Sequence, residues 1–509
     1  MATFIRNPSS YALIQVLADA DMGGDTFLPI DEAMRRCARK NNRATEPDLT
    51  ADLEELLHKG WVVEENGNLY NRANWRYENA AAEKLAAILH KNNELPAAPN
   101  FEATLATAEA MLPLPLDADQ KKAVQICLSH RISIVTGGAG AGKTTMVRAL
   151  HLTNSILTSK SQTLLCAPTG KAARNLSQKA GHPACTVHRA LGKVPDSDFL
   201  DTSGRIWSQT NLVIVDEASM VTLEMLAGLL GQVGSQCRIV LVGDPNQLPA
   251  VGAGNVLHDL LQLGFAHIHL AGNHRQDHEA GALLHNVQEF CGPDSVTLEF
   301  DDSFRLMEAY SADKAKAIIQ NLYEPMITAG EEVQVLSPFR ESSAAAAKSL
   351  NQAIQKRVNP PAEDKLELSI GKRLIRNGDR VILTENLKRY CNGDIGTVTI
   401  QERSPTFQVD FGYQTGTFEK SVGSRFELAY AITIHKAQGS EYDTVIVPIL
   451  RDFGVMLNRH LLYTAISRAR KQVVLVGNAD ALEKALNTDA PSRKTTLVER
   501  VRTTLKKAV

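Results

Sequence analysis

The stretch that most restricts how this chain can fold is Gly137-Gly138-Ala139-Gly140-Ala141-Gly142-Lys143-Thr144. It follows the β-branched run Ile132-Ser133-Ile134-Val135 and precedes a helical stretch, so a buried strand must turn sharply into a helix here. Glycines let the backbone wrap closely around phosphate oxygens, with successive N–H groups and the helix N-terminus as donors. Gly137, Gly138, Ala139, Gly140, Ala141 and Gly142 then form the cradle, and Lys143 carries a point charge toward the β and γ phosphates. Thr144 offers a hydroxyl to Mg²⁺, with Thr145 beside it, and the implied ligands are ATP and Mg²⁺.

Such a loop requires a strand before it and a helix after it, and the flanking pattern supplies a run of such pairs. Short apolar runs at Leu164-Leu165-Cys166-Ala167, Leu212-Val213-Ile214-Val215 and Ile239-Val240-Leu241-Val242 alternate with helical stretches, as in a doubly wound α/β domain over 116–278. A second set begins at Val333-Gln334-Val335-Leu336 and resumes at Thr444-Val445-Ile446-Val447 and Val473-Val474-Leu475-Val476. The second α/β domain therefore comprises 279–365 and 428–509. Between them, 366–427 holds Arg380-Val381-Ile382-Leu383, Gly396-Thr397-Val398-Thr399-Ile400 and Phe407-Gln408-Val409-Asp410-Phe411, the pattern of a small inserted β-barrel.

Upstream, residues 1–92 read as helix, helix, helix, hairpin, helix, with Asn66-Gly67 suited to the positive φ angles of a tight turn; this order resembles a winged helix. Arg35, Arg36, Arg39 and Lys40 on its second helix either touch phosphates or form a solvated face, and the second is the commoner outcome for a charge run. Residues 93–115 carry Pro96, Pro99, Pro113 and Pro115 and read as a linker.

Bulk composition excludes several classes. The 55 basic and 57 acidic residues leave a net charge of -2, so a nucleic-acid site must be a local groove and not a global positive field. Seven scattered cysteines without a Cys-x-x-Cys pair argue for reduced thiols in the cytoplasm and against a zinc site. No signal core and no apolar run near the roughly 18 residues of a membrane span is present.

Val213-Ile214-Val215-Asp216-Glu217 is an apolar strand ending in two carboxylates, which suits Asp216 to the Mg²⁺ shell and Glu217 to polarising the attacking water. Leu241-Val242-Gly243-Asp244-Pro245-Asn246-Gln247-Leu248-Pro249 leaves another strand at its carboxyl end, where open α/β sheets bind ligands. Gln247 is suited to sense the γ-phosphate; a plain turn built by Gly243 and Pro245 is the alternative.

Together these strings resemble superfamily 1 helicases of the RecD-like group, over about 110–478. Leu116-Asp117-Ala118-Asp119-Gln120 resembles the family's glutamine motif, which implies Gln120 as the adenine contact. Cys166-Ala167-Pro168-Thr169-Gly170-Lys171-Ala172-Ala173 and Thr186-Val187-His188-Arg189-Ala190-Leu191 resemble two elements associated with single-stranded DNA. Leu428-Ala429-Tyr430-Ala431-Ile432-Thr433-Ile434-His435-Lys436-Ala437-Gln438-Gly439-Ser440-Glu441 is similar to the fifth motif, with Ala437 where serine is commoner. Leu462-Tyr463-Thr464-Ala465-Ile466-Ser467-Arg468-Ala469 is similar to the sixth.

The resemblance implies two RecA-like domains, an SH3-like barrel at Asn392-Gly393-Asp394-Ile395-Gly396, and ATP hydrolysis coupled to 5′-to-3′ movement on single-stranded DNA. Arg468 is the expected arginine finger, since a planar fork can bond two phosphate oxygens as charge develops. Arg275 is expected as a second, although His274 stands where an aromatic is usual. Gly439 and Glu441 join the nucleotide site, and Pro168, Thr169, His188, Thr433 and His435 are the expected strand contacts. Residues 193–199 form either a strand-splitting pin or an ordinary loop. The expected partner is single-stranded or tailed duplex DNA, in repair, recombination or replication, with a nuclease or recombination factor as a further partner. An RNA helicase, or an ATP-responsive DNA-binding subunit that recruits a nuclease or recombinase, are the rival readings.

Overall fold

The computed structural model describes residues 8–40, 46–91, 93–96, 100–158, 162–192, 207–272, 281–292, 296–363, 365–370, 373–387, 389–402 and 404–508. It is a mixed α/β fold built on two parallel sheets. The first has six strands in the order Ala184–Thr186, Gln162–Ala167, Thr210–Val215, Arg238–Gly243, Ile132–Gly137 and Ala266–Leu270. Its strands are buried on both faces, so their side chains alternate between two cores. Ile134, Val213, Val215, Ile239 and Leu241 pack into one, whereas Val135, Leu212, Ile214, Val240 and Val242 pack into the other. That double burial explains the continuous apolar runs in the sequence. Ala266–Leu270 escapes such a reading because His267 and His269 interrupt it, yet both imidazoles contact the Thr136 hydroxyl, at 2.7 and 3.0 Å.

The second parallel sheet has the order Phe304–Glu308, Ala469–Gly477, Tyr442–Ile449, Val333–Ser337 and Ala431–Thr433. Between Val333–Ser337 and Ala431–Thr433 the chain makes an antiparallel excursion. Its sheet runs Thr415–Glu419, Thr406–Asp410, Ile395–Ile400, Arg380–Leu383 and Phe426–Leu428, beside the hairpin Glu367–Ile370 and Arg373–Arg376. Phe407, Phe418, Phe426, Val381 and Val398 fill its own core. Buried Asp379 fastens it to the second parallel layer, accepting from Asn359 Nδ2 at 2.6 Å and the Tyr430 hydroxyl at 2.8 Å.

The N-terminal region runs Pro8–Met22, Phe27–Pro29, Ile30–Lys40, Glu46–His58, Val62–Glu65 and Asn68–Asn71. Asn66 (φ 55°) and Gly67 (φ 76°) make the tight turn that Asn-Gly announces. Phe27–Pro29 is an additional strand, too short for a sequence pattern, whose ladder is supplied by Asn68–Asn71. The next helix, Arg72–His90, is capped by Asn71 and lies on the six-stranded layer, with Ala81, Leu85 and Ile88 in the same core as Val213 and Leu226.

The last helix, Leu497–Ala508, which the sequence groups with the second domain, packs instead beside Arg72–His90 through Leu497 and Val501. Fully buried Glu78 holds this junction, accepting from the Thr26 hydroxyl, the Thr496 N–H and Arg500. Arg493 completes it by donating to the carbonyls of Ala250, Gly252 and Gly254. Among the described residues no helix is long and apolar enough to cross a membrane.

Candidate active site

The phosphate loop leaves the strand Ile132–Gly137 and enters the helix Lys143–Leu157. Gly140 and Gly142 hold φ values of 84° and 73°, a region that L side chains rarely adopt. A Cβ at Gly137 would lie 3.0 Å from the Ala141 Cβ and 3.1 Å from the Leu270 carbonyl, so the loop also needs glycine there for space. Lys143 is drawn back over the loop by bonds to the Gly137 and Gly138 carbonyls at 2.6 and 2.7 Å. Its ammonium therefore sits at the mouth of the cradle.

Asp216 and Glu217 follow the strand Thr210–Val215. Glu217 has φ 53° and ψ 45°, a left-handed conformation costly for a non-glycine residue and typical of side chains aimed by a functional site. Its N–H donates to Asp216 Oδ1 at 2.9 Å. Burial, and then the neighbouring Glu217 charge, push the Asp216 carboxyl up to about 6, against the opposing pull of Lys143 and Lys179. Two adjoining carboxylates that their neighbours do not neutralise fit a divalent cation, and Thr144 at the helix start supplies a further oxygen.

One cleft of about 590 Å³ between the two parallel layers gathers most of the expected nucleotide residues. Ala139, Gly140, Ala141, Gly142, Lys143, Thr144 and Thr145 line one wall with Asp216, Glu217 and Gln247, while Gly439, Glu441 and Arg468 line the other. Gln120 lies under the loop: its Oε1 accepts from the Asp117 N–H and its Nε2 donates to the Gly142 carbonyl at 3.3 Å. Arg275 lies outside the described residues, as does the 193–199 segment.

Arg468 is 4% exposed, and its guanidinium is oriented by the Thr464 carbonyl at 3.2 Å and the Ser467 hydroxyl at 3.2 Å. The two walls are tied directly. Asn175 Nδ2 donates to the Gly439 carbonyl at 2.6 Å, and Lys179 lies 3.5 Å from Glu441. Tyr463 donates to Asp244 at 2.6 Å, and Gln438 donates to the Leu248 carbonyl at 2.8 Å. Sequence reasoning placed Gly439 and Glu441 at the site but gave Asn175, Lys179, Asp244, Gln438 and Tyr463 no role there. Lys171, Asn175 and Lys179, four apart on the helix Gly170–Ala180, form a polar stripe legible as such, but what the stripe faces is set by tertiary packing.

The expected strand contacts are placed at the carboxyl ends of strands. Thr169 and Thr433 each cap the helix that follows, accepting from the Ala172 and Lys436 N–H groups. Pro168 is buried and His188 half-buried on the short helix Val187–Ala190. His435 has its pKa lowered by burial and by Arg493. Thr433 also lines a groove of about 800 Å³ between the second parallel layer and the antiparallel sheet, with Arg340, Lys348, Lys356, Arg373 and Lys436. Pro168, Thr169, His188 and His435 do not line it.

A family profile described as AAA domain matches residues 115–289, and one described as UvrD-like helicase C-terminal domain matches residues 428–476. The chain is 33% identical over 399 residues to the ATP-dependent RecD2 DNA helicase of Deinococcus radiodurans, covering 76% of this chain and 52% of that protein. It thus spans about half the length of that relative. It is 31% identical over 429 residues to the RecBCD enzyme subunit RecD of Mycolicibacterium smegmatis, covering 75% of each. A solved Bacteroides Pif1 bound to ssDNA aligns over 78% of this chain and 98% of its own at a TM-score of 0.48 and 19% identity, too remote to carry weight. Similarity across three quarters of both chains, with the motifs in one order, makes this protein a member of the RecD-like family of superfamily 1 helicases.

Proposed function

We propose that the protein is an ATP-driven motor that moves 5′ to 3′ on single-stranded DNA and unwinds duplex ahead of it. The observation that carries this reading is the single cleft in which the Lys143 loop and Arg468 face each other from separate parallel layers. A terminal phosphate gripped from both sides links its hydrolysis to closure of the two layers, and alternating closure steps the protein along a strand.

The residues divide the work. Loop N–H groups and Lys143 hold the β and γ phosphates, with Gln120 beside the adenine. Thr144 and Asp216 would hold Mg²⁺, which when bound neutralises charge developing on the phosphate oxygens. Glu217 accepts the proton of the attacking water, and Arg468, with Arg275, meets the charge on the transferred phosphoryl group. Gly439 and Glu441 complete the far wall. The strand path runs along Pro168, Thr169, His188, Thr433 and His435; the groove beside Thr433 carries Arg340, Lys348, Lys356, Arg373 and Lys436, of which Arg340, Arg373 and Lys436 pair with Glu427 and Lys348 with Glu341, so a phosphate entering there would exchange with those carboxylates.

In this reading 116–278 and 279–365 with 428–509 are RecA-like domains, 366–427 is an SH3-like insertion beside the channel, 1–92 is winged-helix-like, and 93–115 is a linker. All seven cysteines are free, which suits a cytoplasmic protein. The RecBCD subunit among its relatives makes a nuclease or recombination factor a candidate partner.

The test is strand displacement on duplexes with a 5′ or a 3′ tail, with Lys143→Ala as control and with DNA and RNA competing for stimulation of ATP turnover. Unwinding from the 5′ tail alone is expected. Unwinding from the 3′ tail alone would overturn the polarity, RNA preference would change the substrate, and no unwinding from either tail would favour a recruitment role.

A further inference from the structure

Asp244 and Tyr463 make one of the shortest crossings of the cleft, and the roles assigned so far leave both without a task. Asp244, at the end of the strand Arg238–Gly243, is 1% exposed. Its Oδ1 accepts from the Asn246 N–H at 3.1 Å. Its Oδ2 accepts from the Tyr463 hydroxyl at 2.6 Å and from Gln247 Nε2 at 3.3 Å. Burial and the adjacent Asp244 charge push the Tyr463 phenol well up, so it stays protonated and keeps donating.

A carboxylate only accepts, so the Gln247 amide has to turn its NH₂ toward Asp244 and its Oε1 away. Gln247 lines the cleft, and its Oε1 is buried with no hydrogen-bond partner among the described residues. A phosphate oxygen is itself an acceptor and gains nothing from that atom, whereas a water molecule has a proton to offer it. One residue further on, the Leu248 N–H donates to the Thr464 hydroxyl at 2.8 Å, and the Thr464 carbonyl accepts from Arg468 Nε at 3.2 Å. The segment carrying Gln247 and the side chain of Arg468 are thus both tied to neighbouring residues of the helix Arg459–Ile466.

We infer that Tyr463 and Asp244 are positioning residues that hold the Gln247 carboxamide with its carbonyl oxygen toward the attacking water, in register with Arg468. Gln247 then senses the geometry of the nucleophile and not the γ-phosphate itself. The inference rests on the ATP-hydrolysis reading. It also gives the closed cleft a check: Asp244 sets which way round the amide faces, and the Tyr463 hydroxyl pins that carboxylate in place only when the Tyr463 helix is seated against it.

The experiment measures steady-state ATP turnover of the full chain with and without an oligothymidylate strand, alongside binding of a fluorescent ATP analogue. The variants are Tyr463→Phe, Asp244→Asn, Gln247→Ala and their pairs. Tyr463→Phe keeps the ring and its packing on Phe290, and Asp244→Asn lets the amide face either way. We expect nucleotide binding and KM to stay within about twofold while kcat falls about tenfold or more in each single variant, as for a small misplacement of a reacting group. The pairs with Gln247→Ala should lose no more than the worse single variant, because all act through one amide.

An inactive wild-type chain would refute the hydrolysis reading itself. An active wild type whose Tyr463→Phe and Asp244→Asn variants keep full kcat, or whose losses multiply with that of Gln247→Ala, would overturn the positioning role. If Tyr463→Phe shows no melting transition, Asp244→Asn decides by the same criteria.

Discussion

Arg174 lies on the helix Gly170–Ala180 of the six-stranded layer and bonds Asp394 of the antiparallel excursion, so replacing it with alanine should loosen that excursion from the first parallel layer. The change removes two charge-assisted hydrogen bonds, at 2.7 and 3.0 Å, and a guanidinium stacked 3.7 Å from the centre of the Tyr413 ring. Asp394 is 2% exposed, so water does not replace the lost partner. Breaking such a buried pair costs about 3–5 kcal/mol when the survivor is left bare. Here the carboxylate keeps the Tyr413 hydroxyl at 2.7 Å and the Cys391 N–H at 2.8 Å. Arg174 itself is 22% exposed, which further lowers its share. The expected cost is therefore about 2–3 kcal/mol, roughly a 30- to 150-fold shift toward the undocked excursion. Cys391 reports it, because its thiol lies against Gly170 in the docked state. Peptide-resolved labelling of Cys391 with a thiol reagent should accelerate by up to that factor in Arg174→Ala. Arg174→Lys should recover little of it, since an ammonium cannot form the paired bonds. A labelling rate within about threefold of wild type would refute the reasoning.

Lys143→Ala should abolish ATP turnover at saturating ATP, and near-normal turnover would remove the loop from the chemistry. Arg468→Ala should bind nucleotide as wild type does but lose kcat by about 10³-fold, the usual scale for a finger arginine; unchanged hydrolysis would end that role. Asp259, buried beside the Thr495 hydroxyl, has its carboxyl pushed up to about 7 by burial. The folded state then keeps a proton that the unfolded chain releases near 3.8, so stability falls as pH rises between these values, by on the order of 4 kcal/mol. Thermal midpoints of the Asp259→Asn variant should lack that decline, and parallel pH profiles for variant and wild type would contradict it.

Residues that line each wall of the cleft were legible before any fold was drawn. A glycine cradle ending in Lys143-Thr144, an apolar strand ending in Asp216-Glu217 and the stretch around Arg468 are local patterns, of the kind that binding a phosphate, a metal or a developing charge would demand of the backbone and side chains nearby. Strands buried on both faces were legible for the same reason, because double burial writes a continuous apolar run. Short strands such as Phe27–Pro29, and the histidine-broken Ala266–Leu270, were not, since their ladders are supplied by partners distant in sequence.

Sequence alone determined the glycine loop ending in Lys143-Thr144, the carboxylate pair Asp216-Glu217 and the stretch around Arg468, and their order. Only the tertiary structure decided that Arg468 faces Lys143 across one cleft, that Asp244 meets Tyr463, and that the last helix returns to Arg72–His90. Those contacts join residues hundreds of positions apart, and nothing in the local propensities of either partner encodes them: they follow from which apolar faces bury each other, and hydrophobic burial carries no direction of its own.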